Sequence, residues 1–285
     1  MKDVFNVLRP DDSTPPVPLV FDSPHSGTVY PDDFHYACNH ALLSGIEDKY
    51  VDELYKSAPD AGAVLLSANF PRSYIDANRC ALDIDEKLLA APWPDETNPS
   101  VRSYAGIGLI HRLVKPGIPI YDRALSVEEV RRRIDTCYRP YHDMLETLLD
   151  EAHNAYGQVW HINCHSMASH SISIPLKGPS DFVLGDRSGT SCDLDFTHAV
   201  RDCLKRMGYN VSINDPYKGV ELVRRYSSPA AGRHSLQIEI CKSLYMNEET
   251  FEKSPSFESF QKDIEKLIRF CADYVESQTR RIAAD

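Results

Sequence analysis

Long apolar runs, concentrated positive charge and paired cysteines are all scarce in this chain of 285 residues, and each scarcity excludes something. No run approaches the ~18 consecutive apolar residues of a bilayer-spanning helix. The chain begins Met-Lys-Asp-Val with no apolar leader, so no membrane partner is expected. The one basic run, Arg131-Arg132-Arg133, follows Glu128 and Glu129 in a helical pattern and reads as a solvated helix face. With 42 acidic against 31 basic residues and a formal net charge of −11, the chain offers nucleic acids and anionic surfaces no cationic footprint. The eight cysteines include no Cys-x-x-Cys pair, and they read as reduced, mostly buried thiols of a cytoplasmic protein. A Gly-x-Ser-x-Gly elbow, the usual mark of a serine hydrolase, is missing too.

What is present is enough apolar material, 42% of residues, for one large core. Apolar runs place strands at 17–22, 62–68, 159–164, 181–185, 209–213 and 235–240. Helical periodicity covers 40–58, 126–155, 193–207 and 256–280, with a capping box at Ser126 and an expected break or kink at Pro140. Strands alternating with helices indicate an α/β protein with a mixed, largely parallel sheet. The Pro-, Gly- and aromatic-rich stretch 88–122 reads as a long ordered excursion, and the chain as a single domain over 1–285.

Three polar clusters close predicted strands. Asp22-Ser-Pro-His25-Ser-Gly27 follows the first, Asn163-Cys164-His165 ends the third, and Glu239 lies inside the last. Such sheets place ligand sites at strand ends, and two histidines with a glutamate suit a hydrolytic metal centre. Asp48 and Asp52, four residues apart and so on one helix face, each offer a third ligand, and spacing does not choose between them. An ionised Glu239 in a buried strand is costly unless it is paired or functional. Beside a metal-bound water it serves as base and then as acid. The structural alternative pairs it with Arg233 or Lys242. Arg72, Asn78 and Arg79, just beyond the second strand, suit an anionic substrate, or else a plain Asp76–Arg79 ion pair.

These residues carry a resemblance to the N-formylglutamate amidohydrolase family. The matching segments are Asp22–Gly27, Asp48–Tyr55, Arg72–Arg79, Pro140-Tyr-His142, His165-Ser-Met167, Asn214–Gly219 and Leu236–Glu239 leading to Leu244-Tyr-Met246. They run in the same order over residues 17–250. The resemblance implies a three-layer α/β/α fold like that of zinc carboxypeptidases, and hydrolysis of N-formyl-L-glutamate by a zinc-bound water. It implies zinc ligands His25, Asp48 and His165, Glu239 as base and acid, and Arg72 at the oxyanion. Asn78, Arg79 and Arg224 would hold the carboxylates of a small anionic N-acyl amino acid.

Two departures stand out. Asn163 replaces the usual aspartate two residues before the second histidine, which would weaken the support of that ligand. Tyr104–His111 does not match the Pro- and Thr-rich stretch of the best-known deformylases. Other readings are an amidohydrolase for a different N-acyl amino acid, a non-catalytic binding relative, and a cysteine hydrolase built on Cys164. Because Cys164 and His165 project to opposite faces, they would not pair.

Overall fold

The structure is a computed structural model and describes residues 3–172 and 180–282. In chain order the strands are β1 (Phe5–Leu8), β2 (Leu19–Ser23), β3 (Val64–Ala68), β4 (Leu113–Lys115), β5 (Ile118–Pro119), β6 (Val159–Met167), β7 (Phe182–Gly185), β8 (Val211–Ile213) and β9 (Arg233–Cys241). The α-helices are α1 (His40–Gly45), α2 (Val51–Leu54), α3 (Val101–Tyr104), α4 (Val127–Arg133), α5 (Arg139–Tyr156), α6 (Leu194–Arg206), α7 (Glu221–Arg225) and α8 (Phe257–Ile282). Seven strands form one sheet in the order β1-β3-β2-β6-β9-β7-β8. The pairs β2–β6, β6–β9 and β7–β8 are parallel, and β7–β9 is antiparallel. The fold is therefore α/β around a mixed sheet, as expected.

The chain groups into two compact units. One comprises Val7–Ser23, Asp48–Leu66 and Leu145–Asp285 and contains the centre of the sheet. Its apolar core lies on one sheet face, where Leu19, Phe21, Trp160, Ile162, Cys164, Leu236, Ile238 and Ile240 meet α2, α6 and α8. Strict alternation along β6 and β9 sends the intervening residues to the other face. There Tyr226, at the end of α7, packs edge-on to the His161 ring. Helices thus cover both faces. Both central strands are longer than the sequence pattern predicts, because the polar side chains that interrupt the apolar run are buried too.

The other unit comprises Met1–Asn6, Pro24–Glu47 and Ser67–Met144. It contains the 88–122 excursion, which is ordered by the β4–β5 hairpin around Gly117 and by the buried Leu109, Ile110 and Ile120. Asp83 ties the stretch down, accepting from the Ser100 amide at 2.6 Å and the Ser103 hydroxyl at 2.6 Å.

Three expectations change. The helix predicted over 40–58 is broken, because Ile46 ends α1 and Tyr50 sits in the left-handed region at φ 64° before α2 begins. Asp48 thus precedes the helix and shares no face with Asp52; periodicity reported which side chains are buried, not whether the backbone between them is continuous. At Pro140 the helical run neither stops nor separates, since a wide π turn over Ile134–Tyr138 joins α4 to α5 and accommodates the missing amide. Arg131 and Arg132 are exposed and paired with Asp95 and Asp33, but Arg133 is fully buried. Its guanidinium lies 4.2 Å from the Tyr74 ring centroid and donates to Glu129, Tyr121 and the Tyr74 carbonyl.

Candidate active site

In the sheet-bearing unit, the face opposite the apolar core carries a buried polar ladder. Parallel register sets His161 beside Ser235, Asn163 beside Gln237 and His165 beside Glu239, and Asp22 of β2 pairs with Asn163. All seven are buried. Each must therefore find a partner or lose the hydration it left.

The partners fix one another's orientation. Asp22 Oδ1 accepts from the Asn163 side-chain amide at 2.7 Å and from His161 Nε2 at 2.8 Å. The other ring nitrogen of His161 accepts from the Ser235 hydroxyl at 2.7 Å. Because the Asn163 NH₂ is spent on a carboxylate, its oxygen faces His165 and accepts from Nε2 at 2.7 Å. In the neutral His165 ring Nδ1 then carries the lone pair, yet it lies 2.9 Å from Asp48 Oδ2. A lone pair facing a carboxylate is favourable when a cation, a proton or a metal ion, is shared between them. A histidine nitrogen and a carboxylate oxygen are the donors a divalent metal takes, and the buried His165 and Asp48 fit one.

Asn163, expected to weaken the support of the second histidine, instead links it to Asp22. Glu239 sits one strand over from His165 on the same face, and Gln237 donates to its Oε1 at 2.9 Å. Arg233, one of its two alternative structural partners, is paired with Asp150 at 2.6 Å. Cys164 points into the apolar core, where burial holds its thiol well above the usual range. A cysteine nucleophile is incompatible with that environment.

The other unit builds a different cluster around one carboxylate, Asp76. His25 Nε2 donates to Oδ1 at 2.6 Å, and the Asn78 backbone amide to the same oxygen at 2.9 Å. Arg72 donates to Oδ2 at 3.0 Å, His111 Nε2 lies 3.2 Å from Oδ2, and an Arg79 nitrogen lies 3.7 Å away. Burial alone would raise this carboxyl, but Arg79, His25 and Arg72 hold it well below the ordinary carboxylate range. The bond to Asp76 leaves Nδ1 as the lone-pair nitrogen of a neutral His25, the orientation a metal-binding histidine needs. The loop reaches this position because Gly27 has no side chain. A Cβ there would lie 2.3 Å from the Phe70 carbonyl oxygen.

Around the same hub, burial lowers the Arg79 guanidinium to about 10 against the pull of Asp76. Burial also lowers His111 to about 4, although Asp76 opposes the shift. From the sequence Asp76 is expected only as an ion-pair partner of Arg79, and His111 has no expected role. The available signal was the pair of arginines flanking an aspartate in a loop. Arg224 lies on α7 with its side chain 53% exposed, paired with Glu221 at 2.8 Å. Of the two aspartates left open by spacing, Asp48 meets His165, while burial raises the carboxyl of Asp52.

Comparison with known proteins places these clusters in a family context. Residues 17–246 match the family model described as N-formylglutamate amidohydrolase. A crystal structure of N-formylglutamate amidohydrolase from Ralstonia eutropha JMP134 superposes with a TM-score of 0.93 at 44% identity, covering 96% of this chain and 99% of that one. N-formylglutamate deformylase of Pseudomonas putida is 30% identical over 238 residues, 81% of this chain and 83% of that protein. The gene product Atu2144 of Agrobacterium tumefaciens, at 17% identity and a TM-score of 0.67, shares the fold.

Proposed function

Since this chain belongs to the N-formylglutamate amidohydrolase family, we propose that it hydrolyses the amide bond of N-formyl-L-glutamate to formate and L-glutamate. We read residues 1–285 as one amidohydrolase domain and assign zinc as cofactor, held by His25, Asp48 and His165. The observation that carries this reading is the His165 ring, held between Asn163 and Asp48 with Nδ1 2.9 Å from the Asp48 carboxylate and with Glu239 one strand away. Bound zinc supplies an electrophile that polarises the substrate carbonyl and acidifies water.

The remaining chemistry belongs to side chains of this chain. Glu239 takes the proton of the attacking water and returns it to the leaving amine nitrogen, so one carboxylate serves as base and then as acid. Arg72, whose side chain is 18% exposed, offers its guanidinium to the developing oxyanion. Asn78, Arg79 and Arg224 hold the substrate carboxylates, a task suited to planar guanidinium donors. A second substrate reading, another N-acyl amino acid, draws support from His111, which brings the divergent 104–111 segment into the Asp76 cluster.

Formate release from N-formyl-L-glutamate tests the proposal, using zinc-loaded protein, chelator-stripped protein and Glu239→Gln. Turnover is expected to vanish on stripping. In the variant it should fall by about 10²–10⁴-fold, with one zinc per chain retained. Zinc binding without formate release would move the substrate to another N-acyl amino acid, and absence of both would sink the reading.

A further inference from the structure

We infer that Asp22, which is not among the proposed ligands, is the positioning residue that selects which nitrogen of His165 faces the metal, acting through the Asn163 amide. The inference rests on the metal reading above and deepens it. A side-chain amide is a two-faced device, since flipping it exchanges a donor for an acceptor at the same place. Asp22 Oδ1 accepts the Asn163 NH₂ at 2.7 Å and is itself held by His161 Nε2 at 2.8 Å. His161 is anchored in turn by the Ser235 hydroxyl at 2.7 Å. Only one orientation of Asn163 satisfies Asp22, and that orientation shows an oxygen to His165 Nε2.

The alternative orientation explains why this matters. If the amide flipped, its NH₂ would donate to His165 Nε2, and the ring proton would move to Nδ1. That proton would then donate to Asp48, 2.9 Å away. The neutral ring would be fully satisfied with no metal present, and its coordinating lone pair would be gone. Asp22 forbids this self-satisfied state. The apparent deficiency of an asparagine beside a metal-binding histidine is made good by a carboxylate one strand away.

The test compares zinc affinity, by competition with a chelator, in wild type, Asp22→Ala and Asp22→Val. Valine fills the vacated space and suits a strand, so it covers the case in which alanine fails to fold. Each variant is expected to lose about 10–100-fold in zinc affinity, the usual cost of removing an outer partner of a metal-binding histidine. The ¹⁵N spectrum of the metal-free variants should show His165 protonated at Nδ1. Adding Asn163→Asp to either variant is then expected to restore affinity, because a carboxylate accepts in both orientations and needs nothing to pin it. A merely structural role for Asp22 would not be rescued this way. Wild-type affinity in both single variants, or a loss that Asn163→Asp fails to recover, overturns the inference alone. A wild-type protein that binds no zinc overturns the metal reading first, and this inference with it.

Discussion

The Asp76 cluster and the β6–β9 ladder both orient a histidine in buried surroundings, and they do it by opposite means. Around Asp76 the device is charge, one carboxylate with two arginines and two histidines on its oxygens. Along the ladder it is register, which delivers each polar group to a neighbour at a fixed step and lets each bond fix the direction of the next. The lesson is that a loop, lacking a repeating frame, needs convergent charge to hold a side chain. A paired strand already supplies position and has only donor and acceptor direction left to set.

That contrast is open to attack by mutation. The largest loss is expected from Asp76→Asn, which removes the carboxylate that Arg72 and the buried Arg79 face. Breaking a buried ion pair in this way costs about 3–5 kcal/mol, to be read from urea denaturation. A loss no greater than that of a ladder variant would erase the distinction.

Ser235→Ala, on the ladder, strands one nitrogen of His161 and should cost about 1–3 kcal/mol by the same assay.

The smallest effect is a slope. His111 is held down to about 4 by burial against an ordinary value of 6.5. Between those values the unfolded ring binds a proton that the folded ring does not. Its contribution is therefore complete above pH 6.5 and declines as pH falls toward 4, by at most about 1.4 kcal/mol per pH unit. His111→Gln should flatten the stability profile in that window. An unchanged slope would show that burial does not hold His111 neutral.

Much of this was legible beforehand, for identifiable reasons. His25, His165 and Glu239 stood out because polar side chains at the ends of apolar runs violate the pattern that builds strands. Asp76 did not, because an aspartate beside arginines in a loop looks the same whether it closes one ion pair or organises five groups. Arg133 was misread because three consecutive arginines carry no mark of which one turns inward. Its burial depends on Phe34, Tyr74 and Tyr121, distant in sequence. No helix among the described residues is long and apolar enough to cross a membrane, as the lack of apolar runs predicts.

The alternation of the chain determined which residues leave the core of each strand, since side-chain direction in a strand is a local property of period two. The motifs named the family. Only the tertiary structure decided what those residues meet. Whether Asn163 weakens or supports its histidine, and whether Asp48 or Asp52 reaches it, depends on strand register and on one left-handed residue at Tyr50. Those are set by packing across the whole sheet, which no local pattern encodes.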